Sequence, residues 1–282
     1  MNCGLQMPPA LTAPTLDQLR REVAAIEPGR VSAHVSPFSP LFSPWGAAQE
    51  GSLRLGVPAL DAALQGGLAL GALHEFVPPG ELQLGAAFGF GLAIAALAAK
   101  GGRQVLCITT DYAGLEAGSP YGLGLDHLGL AMERLLILRV AHPRDALWGF
   151  EEALKCPALA AVLAELPEAG VSADLTATRR LSLAAQASGG LGLLLRHRPY
   201  PLPSAALTRW QVAPALSEPD RFGGLGGTSF DLALQRNRRG RCGRWITGWN
   251  HHERTFIPQA LSLGMAETAR DRSDRAQLLR TA

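Results

Sequence analysis

From Leu53 onward the chain alternates strand-sized apolar runs with helix-sized periodic segments, and this alternation limits its fold more than any other feature. Residues 73–77, 105–109, 135–140, 160–166 and 191–196 are short runs with almost no polar interruption. A strand with one wet face alternates polar and apolar residues, whereas a continuous apolar strand must be covered on both faces. Between these runs lie residues 85–100, 143–155 and 175–188, each long enough for a helix. In 143–155, Leu147, Phe150 and Leu154 share one apolar face. Strands separated by helices predict an α/β fold, with a mainly parallel sheet flanked by helices. After Tyr200 the rhythm changes. Residues 210–212, 230–234 and 245–249 read as strands joined by Gly-rich turns at 223–227 and 240–243, which predicts antiparallel strands at the C-terminal side.

Four segments follow. Residues 1–29 hold a predicted helix, with Thr15 and Gln18 at capping-box spacing and Leu16, Leu19, Val23 and Ile26 on one face. Residues 30–52 form a Pro/Ser-rich linker with three Ser-Pro steps, in which Phe38, Phe42 and Trp45 are the apolar anchors. Residues 53–257 are the core, and 258–282 a polar, charged tail. The uncharged stretch 82–99 has the length of a membrane span, but it is rich in Ala and Gly, contains Gln83 and lies between two strands. It reads as a buried helix over the sheet, with no membrane role. The four cysteines are far apart and form no Cys-x-x-Cys pair, and no basic start followed by an apolar signal region is present. A reduced, cytoplasmic location without a metal site is expected. A net charge of +2 does not by itself announce a polyanionic partner.

Several segments, in this order, resemble the core of the RecA family and more closely its diverged relatives, the ImuA family. They begin with Leu55-Gly56-Val57-Pro58-Ala59-Leu60-Asp61, Gly66-Gly67-Leu68 and Gly71-Ala72-Leu73-His74-Glu75. Residues 121–136 follow, then Arg144-Asp145-Ala146-Leu147-Trp148 leading into Glu151-Glu152-Ala153-Leu154. The last are Thr208-Arg209-Trp210, Arg236-Asn237-Arg238-Arg239-Gly240 and Arg241-Cys242-Gly243-Arg244-Trp245. The resemblance implies a RecA-like core and a non-catalytic accessory role in damage-induced translesion synthesis. The implied partners are an ImuB-like polymerase adaptor, RecA and an error-prone DNA polymerase, with DNA as a further candidate. The tail from Pro258 is the segment expected to contact the adaptor.

An ATPase of this fold needs a Gly-rich loop after the first core strand, ending in Gly-Lys-Ser/Thr. Its amides cradle the phosphates, its lysine neutralises charge and its hydroxyl holds magnesium. Here the stretch is Val77-Pro78-Pro79-Gly80-Glu81-Leu82-Gln83-Leu84-Gly85. Pro78 and Pro79 remove amide donors, and Glu81 places negative charge beside any polyphosphate. Gln83 or Leu84 stands where lysine is expected. The chain's only lysines, Lys100 and Lys155, follow no Gly-rich turn. The expectation is no enzyme and no cofactor. Alternatives are a RecA-like NTPase with an atypical loop and a cell-division inhibitor like SulA.

Two acidic residues match family positions. Glu165 stands where the resemblance places a magnesium-linked aspartate, and Asp111 where it places a water-activating glutamate. Without a phosphate loop, Glu165 reads as a hydrogen-bonded or solvated carboxylate at a strand end, and Asp111 as a turn or helix cap. His251-His252-Glu253 reads as a polar turn, because adjacent strand residues point to opposite faces. His74 and Glu75 read as buried edge or packing residues. Arg196, Arg198, Arg209, Arg236, Arg238, Arg239, Arg241 and Arg244 form a basic zone in the second half. They suit nucleic-acid phosphates or an acidic partner surface, and equally a solvated edge.

Overall fold

The protein is described by a computed structural model, which covers residues 51–167, 173–199, 203–217, 224 and 226–259. The predicted N-terminal helix, nearly all of the linker and nearly all of the final tail lie outside these residues, while the tail's first residue, Pro258, ends a strand. A short ribbon pairs β1 (Ser52–Leu53) with β2 (Leu68–Ala69), and α1 (Pro58–Ala63) lies between them in the chain. The Leu55–Asp61 motif has a local reason. Both carboxylate oxygens of Asp61 accept backbone hydrogen bonds, from Leu55 N at 2.9 Å and Gly56 N at 3.1 Å. Gly56 has φ +100°, and a Cβ there would collide with Thr255 Oγ1 and the Phe256 carbonyl, so glycine is required.

The main sheet contains β3 (Ala72–Val77), β4 (Gln104–Thr110), β5 (Leu135–Val140), β6 (Leu159–Leu166), β7 (Leu191–Arg196), β8 (Thr208–Pro214), β9 (Ser229–Asn237), β10 (Gly243–Asn250) and β11 (Thr255–Pro258). Its order is β11-β10-β9-β8-β3-β7-β6-β4-β5. Strands β3 to β7 run parallel, and β3, β6 and β7 are buried along their whole length. The expected mainly parallel sheet is therefore present. One detail differs: β8 runs parallel to β3, and antiparallel pairing begins only at β9. His74 and Glu75, read as buried edge or packing residues, are fully buried and lie in β3 between β7 and β8, in the middle of the sheet and not at its edge.

Helix α2 (Leu84–Ala98) crosses one face. Its Phe90 is the hub of an aromatic cluster, with ring centroids 5.4 Å from Phe76, 5.5 Å from Phe230 and 5.2 Å from Phe256. Among the described residues, the one helical stretch long and apolar enough to cross a membrane contains this helix, with Phe90 to Leu97 buried against the sheet. Two short helices follow β4: α3 (Asp111–Ala117) and α4 (Gly122–Leu128). On the opposite face lie α5 (Pro143–Leu154) and α6 (Leu175–Ser188). Pro143 begins α5, where a missing N–H costs nothing. The Asp174 side chain caps α6 by accepting from Ala177 N at 2.8 Å. A second apolar cluster fills this side, built on Phe150, Leu154, Val162 and Leu181. Two cores, one per sheet face, explain why the central strands carry no polar alternation.

Candidate functional site

The parallel strands end together, and the loop after β3 opens at that end. Pro78 and Pro79 leave β3, Gly80 is extended, residues 81–83 form one 3-10 turn, and α2 begins at Leu84. No side chain caps α2. Leu82 is fully solvent-exposed at the position facing outward from this turn. The two prolines thus occupy backbone where a phosphate cradle would need N–H donors. Lys100 lies at the far end of α2, roughly 22 Å along the helix axis from its start. Lys155 follows α5 and pairs with Glu152 at 2.6 Å. The loop does have a cation beside it: Arg198, just after β7, pairs with Glu81. No local sequence signal announces that contact, because 117 residues separate the two.

Glu165 sits near the end of β6, buried, and each of its oxygens has a partner. Thr109 Oγ1 of β4 donates to Oε2 at 2.9 Å, and His197 Nε2 lies 3.0 Å from Oε1. Glu165 is thus a buried carboxylate near a strand end with a hydrogen-bond partner on each oxygen. Its negative charge, after burial itself, helps to push the neighbouring Cys107 thiol up to about 12. Asp111 differs slightly from expectation. The cap of α3 is Thr110, whose hydroxyl accepts from Ala113 N at 3.2 Å, and Asp111 is the exposed first residue of the helix. After β10, Asn250 Oδ1 accepts from His252 N at 3.0 Å and Glu253 N at 3.2 Å, so the His-His-Glu run is a polar turn. Among the described residues no group of three His, Cys, Asp or Glu side chains is arranged to hold a metal ion.

The interior of β3 holds two polar clusters. His74 is fully buried with both ring nitrogens engaged, Nδ1 2.7 Å from Thr208 Oγ1 and Nε2 2.9 Å from the Ala69 carbonyl oxygen. Burial, opposed by the Ala69 hydrogen bond and reinforced by the charge of Arg239, lowers its pKa to about 4. Glu75 is also fully buried. Arg196 Nε donates to one of its oxygens and Arg209 Nε donates to the other at 2.7 Å. Arg196 further donates to the Ala173 carbonyl at 2.6 Å.

The basic zone is not one surface. Arg196 is inside the protein, its side chain 2% exposed on Glu75. Arg198 lies where the parallel strands end. The register of β8 with β3 and β9 puts Arg236 to Arg241 at the opposite end, where those strands begin. There Arg236 and Arg238 both donate to the Ser204 carbonyl, at 2.7 and 2.8 Å. Burial, then the Arg236 charge, lowers the pKa of Arg238. Arg239 and Arg241 occupy the β9–β10 turn, and Arg244 forms a bidentate pair with Asp231. Sequence proximity grouped these arginines, and the strand directions separate them.

The strand order and the loop at the strand ends define a RecA-type core. The same fold is seen in the crystal structure of the RadB recombinase, at TM-score 0.52 and 16% identity, covering 74% of this chain and all of that one. Over 210 residues the sequence is 34% identical to Protein ImuA of Caulobacter vibrioides strain NA1000 / CB15N, covering 69% of this chain and 82% of that protein. The same match is found in strain ATCC 19089 / CIP 103742 / CB 15. No protein-family model matches. The chain belongs to the ImuA family.

Proposed function

We propose that this chain is a non-catalytic accessory protein of damage-induced translesion synthesis, a RecA-like scaffold that acts in the cytoplasm. Membership in the ImuA family and the RecA-type core support an accessory role in damage-induced mutagenesis. The proposed partners are an ImuB-like polymerase adaptor and RecA, with an error-prone polymerase beside them and DNA as a further ligand. The observation that carries the reading is the loop at 78–83, with two prolines and a glutamate that is paired to Arg198. A lysine-free loop of this kind lacks the amide donors of two positions, and its one neighbouring cation, Arg198, is paired to Glu81. A core that keeps a RecA-like shape without that chemistry is suited to docking on related proteins. The arginines offered to such partners are Arg239 and Arg241 of the β9–β10 turn and the exposed Arg244, with the half-buried Arg236 and Arg238 beside them; Arg198 faces the other end.

Affinity capture of the tagged full chain from damage-treated cells is expected to bring down the adaptor or RecA. Recovery of only unrelated metabolic proteins would sink the proposal. Purified protein is also expected not to bind a fluorescent ATP analogue in the presence of magnesium. Saturable, magnesium-dependent binding would favour a working NTPase instead. Filamentation on overexpression, without any effect on damage-induced mutation, would favour a cell-division inhibitor.

A further inference from the structure

Beside Glu165 the α2 face of the sheet encloses a cavity of about 760 Å³. That lies within the range of about 300–1,000 Å³ usual for small-molecule pockets, and the crevice at the carboxyl ends of parallel strands is where such folds bind ligands. Its inner wall is Cys107, Thr109, Glu165, Phe230 and Trp249, all buried. Its rim is exposed and includes Tyr121, Arg139 and His251. One side of the cavity is open for a specific reason. Gly85 and Gly89, one helical turn apart on α2, and Gly124 on α4 all line it, and a Cβ at any of the three would meet nothing within 4 Å. Gly89, the least exposed of the three, is where a larger side chain would narrow the space.

Chemistry at the inner wall selects what fits. The Thr109 hydroxyl is spent donating to Glu165 Oε2 at 2.9 Å, and Trp249 Nε1 donates away to the His127 carbonyl at 2.9 Å. Each Glu165 oxygen has one partner and retains a lone pair. The inner wall therefore offers acceptors at Glu165, while the one arginine of the lining, Arg139, lies at the exposed rim and donates to Ser119. Phe88, Tyr121, Phe230 and Trp249 supply flat apolar faces around it.

We propose that this cavity binds a flat aromatic amine, its rings between α2 and α4 and its N–H donated to Glu165. Such a ligand needs no phosphate contact, so the site is independent of the loop at 78–83 and of the accessory role above. The test uses N-phenyl-1-naphthylamine, a neutral aromatic amine whose fluorescence rises in apolar surroundings, titrated into the full-length protein. Saturable enhancement with a roughly micromolar dissociation constant is expected. Competition by 1-benzylnaphthalene, which has CH₂ in place of the NH, should be about tenfold weaker. Glu165→Met should erase that difference. Gly89→Leu should abolish binding by filling the cavity, with a thermal midpoint at or above the parent's, because leucine favours helix more than glycine does. An absent or unsaturable signal in the parent overturns the site, as does undiminished binding by a folded Gly89→Leu variant. Equal binding of amine and hydrocarbon overturns the ligand class.

Discussion

His74 ties the stability of the whole sheet to pH. Its pKa is about 4 in the folded protein against 6.5 when exposed, so between those values the unfolded chain holds the extra proton and the native one does not. Stability is then fully present above pH 6.5 and is lost as pH falls towards 4, by about 3 kcal/mol in total. Urea midpoints should drop between pH 7 and pH 4.5, and His74→Gln should flatten that dependence; an unchanged slope in the variant would refute the assignment. Beside it, Glu75 holds two arginines in the interior. Removing the carboxylate takes the buried counter-charge from both arginines, so Glu75→Met should cost about 3–5 kcal/mol in urea denaturation. Adding Arg196→Met and Arg209→Met to that variant should restore most of the loss, because replacing a buried ionic cluster with apolar side chains is close to neutral. A loss that persists in the triple variant would show that the arginines stabilise the fold in some other way. The adjacent His-Glu pair was visible in the sequence only as two polar residues in an apolar strand. Their partners, Thr208, Arg196 and Arg209, lie 121 to 134 residues away.

At the scale of elements, α2 shows how a stretch of membrane-like composition becomes a core helix. Its glycines are not equivalent. Gly91 faces β6, and a Cβ there would lie 3.0 Å from Leu163 Cδ1, whereas Gly89 faces open space. Gly91→Leu should therefore destabilise by about 1–3 kcal/mol through overpacking. Gly89→Ala should stabilise by about 0.5–1 kcal/mol through helix propensity alone. Thermal denaturation of both variants checks the contrast, and equal effects would contradict the packing described. Strong periodicity and caps made the long elements readable, and residues 135–140, 175–188 and 191–196 match their observed bounds. Helices α3 and α4 were not foreseen. Each has 7 residues, too few for two turns of apolar pattern, and both are exposed over much of their length. Strand β11 was also missed, since its 4 residues are recognisable only once paired with β10.

Across the whole molecule, the described residues place all parallel strands with their carboxyl ends at one side, where the proline loop, Glu165 and the cavity meet. The β9–β10 turn and its arginines lie at the other side. The amino-acid sequence alone determined that the middle of the sheet is covered on both faces, as β3, β6 and β7 are. The same reading fails for β5, an equally apolar run that lies at the sheet edge with Leu136 and Ile137 exposed, because strand order and not local pattern decides which strand is outermost. It also determined the chemical character of residues 78–81, since proline lacks an N–H and glutamate carries a negative charge wherever the chain runs. Only tertiary structure decided which charges neutralise one another and which arginines face outward. Strand order and direction are set by packing between segments more than a hundred residues apart, and no local pattern encodes them.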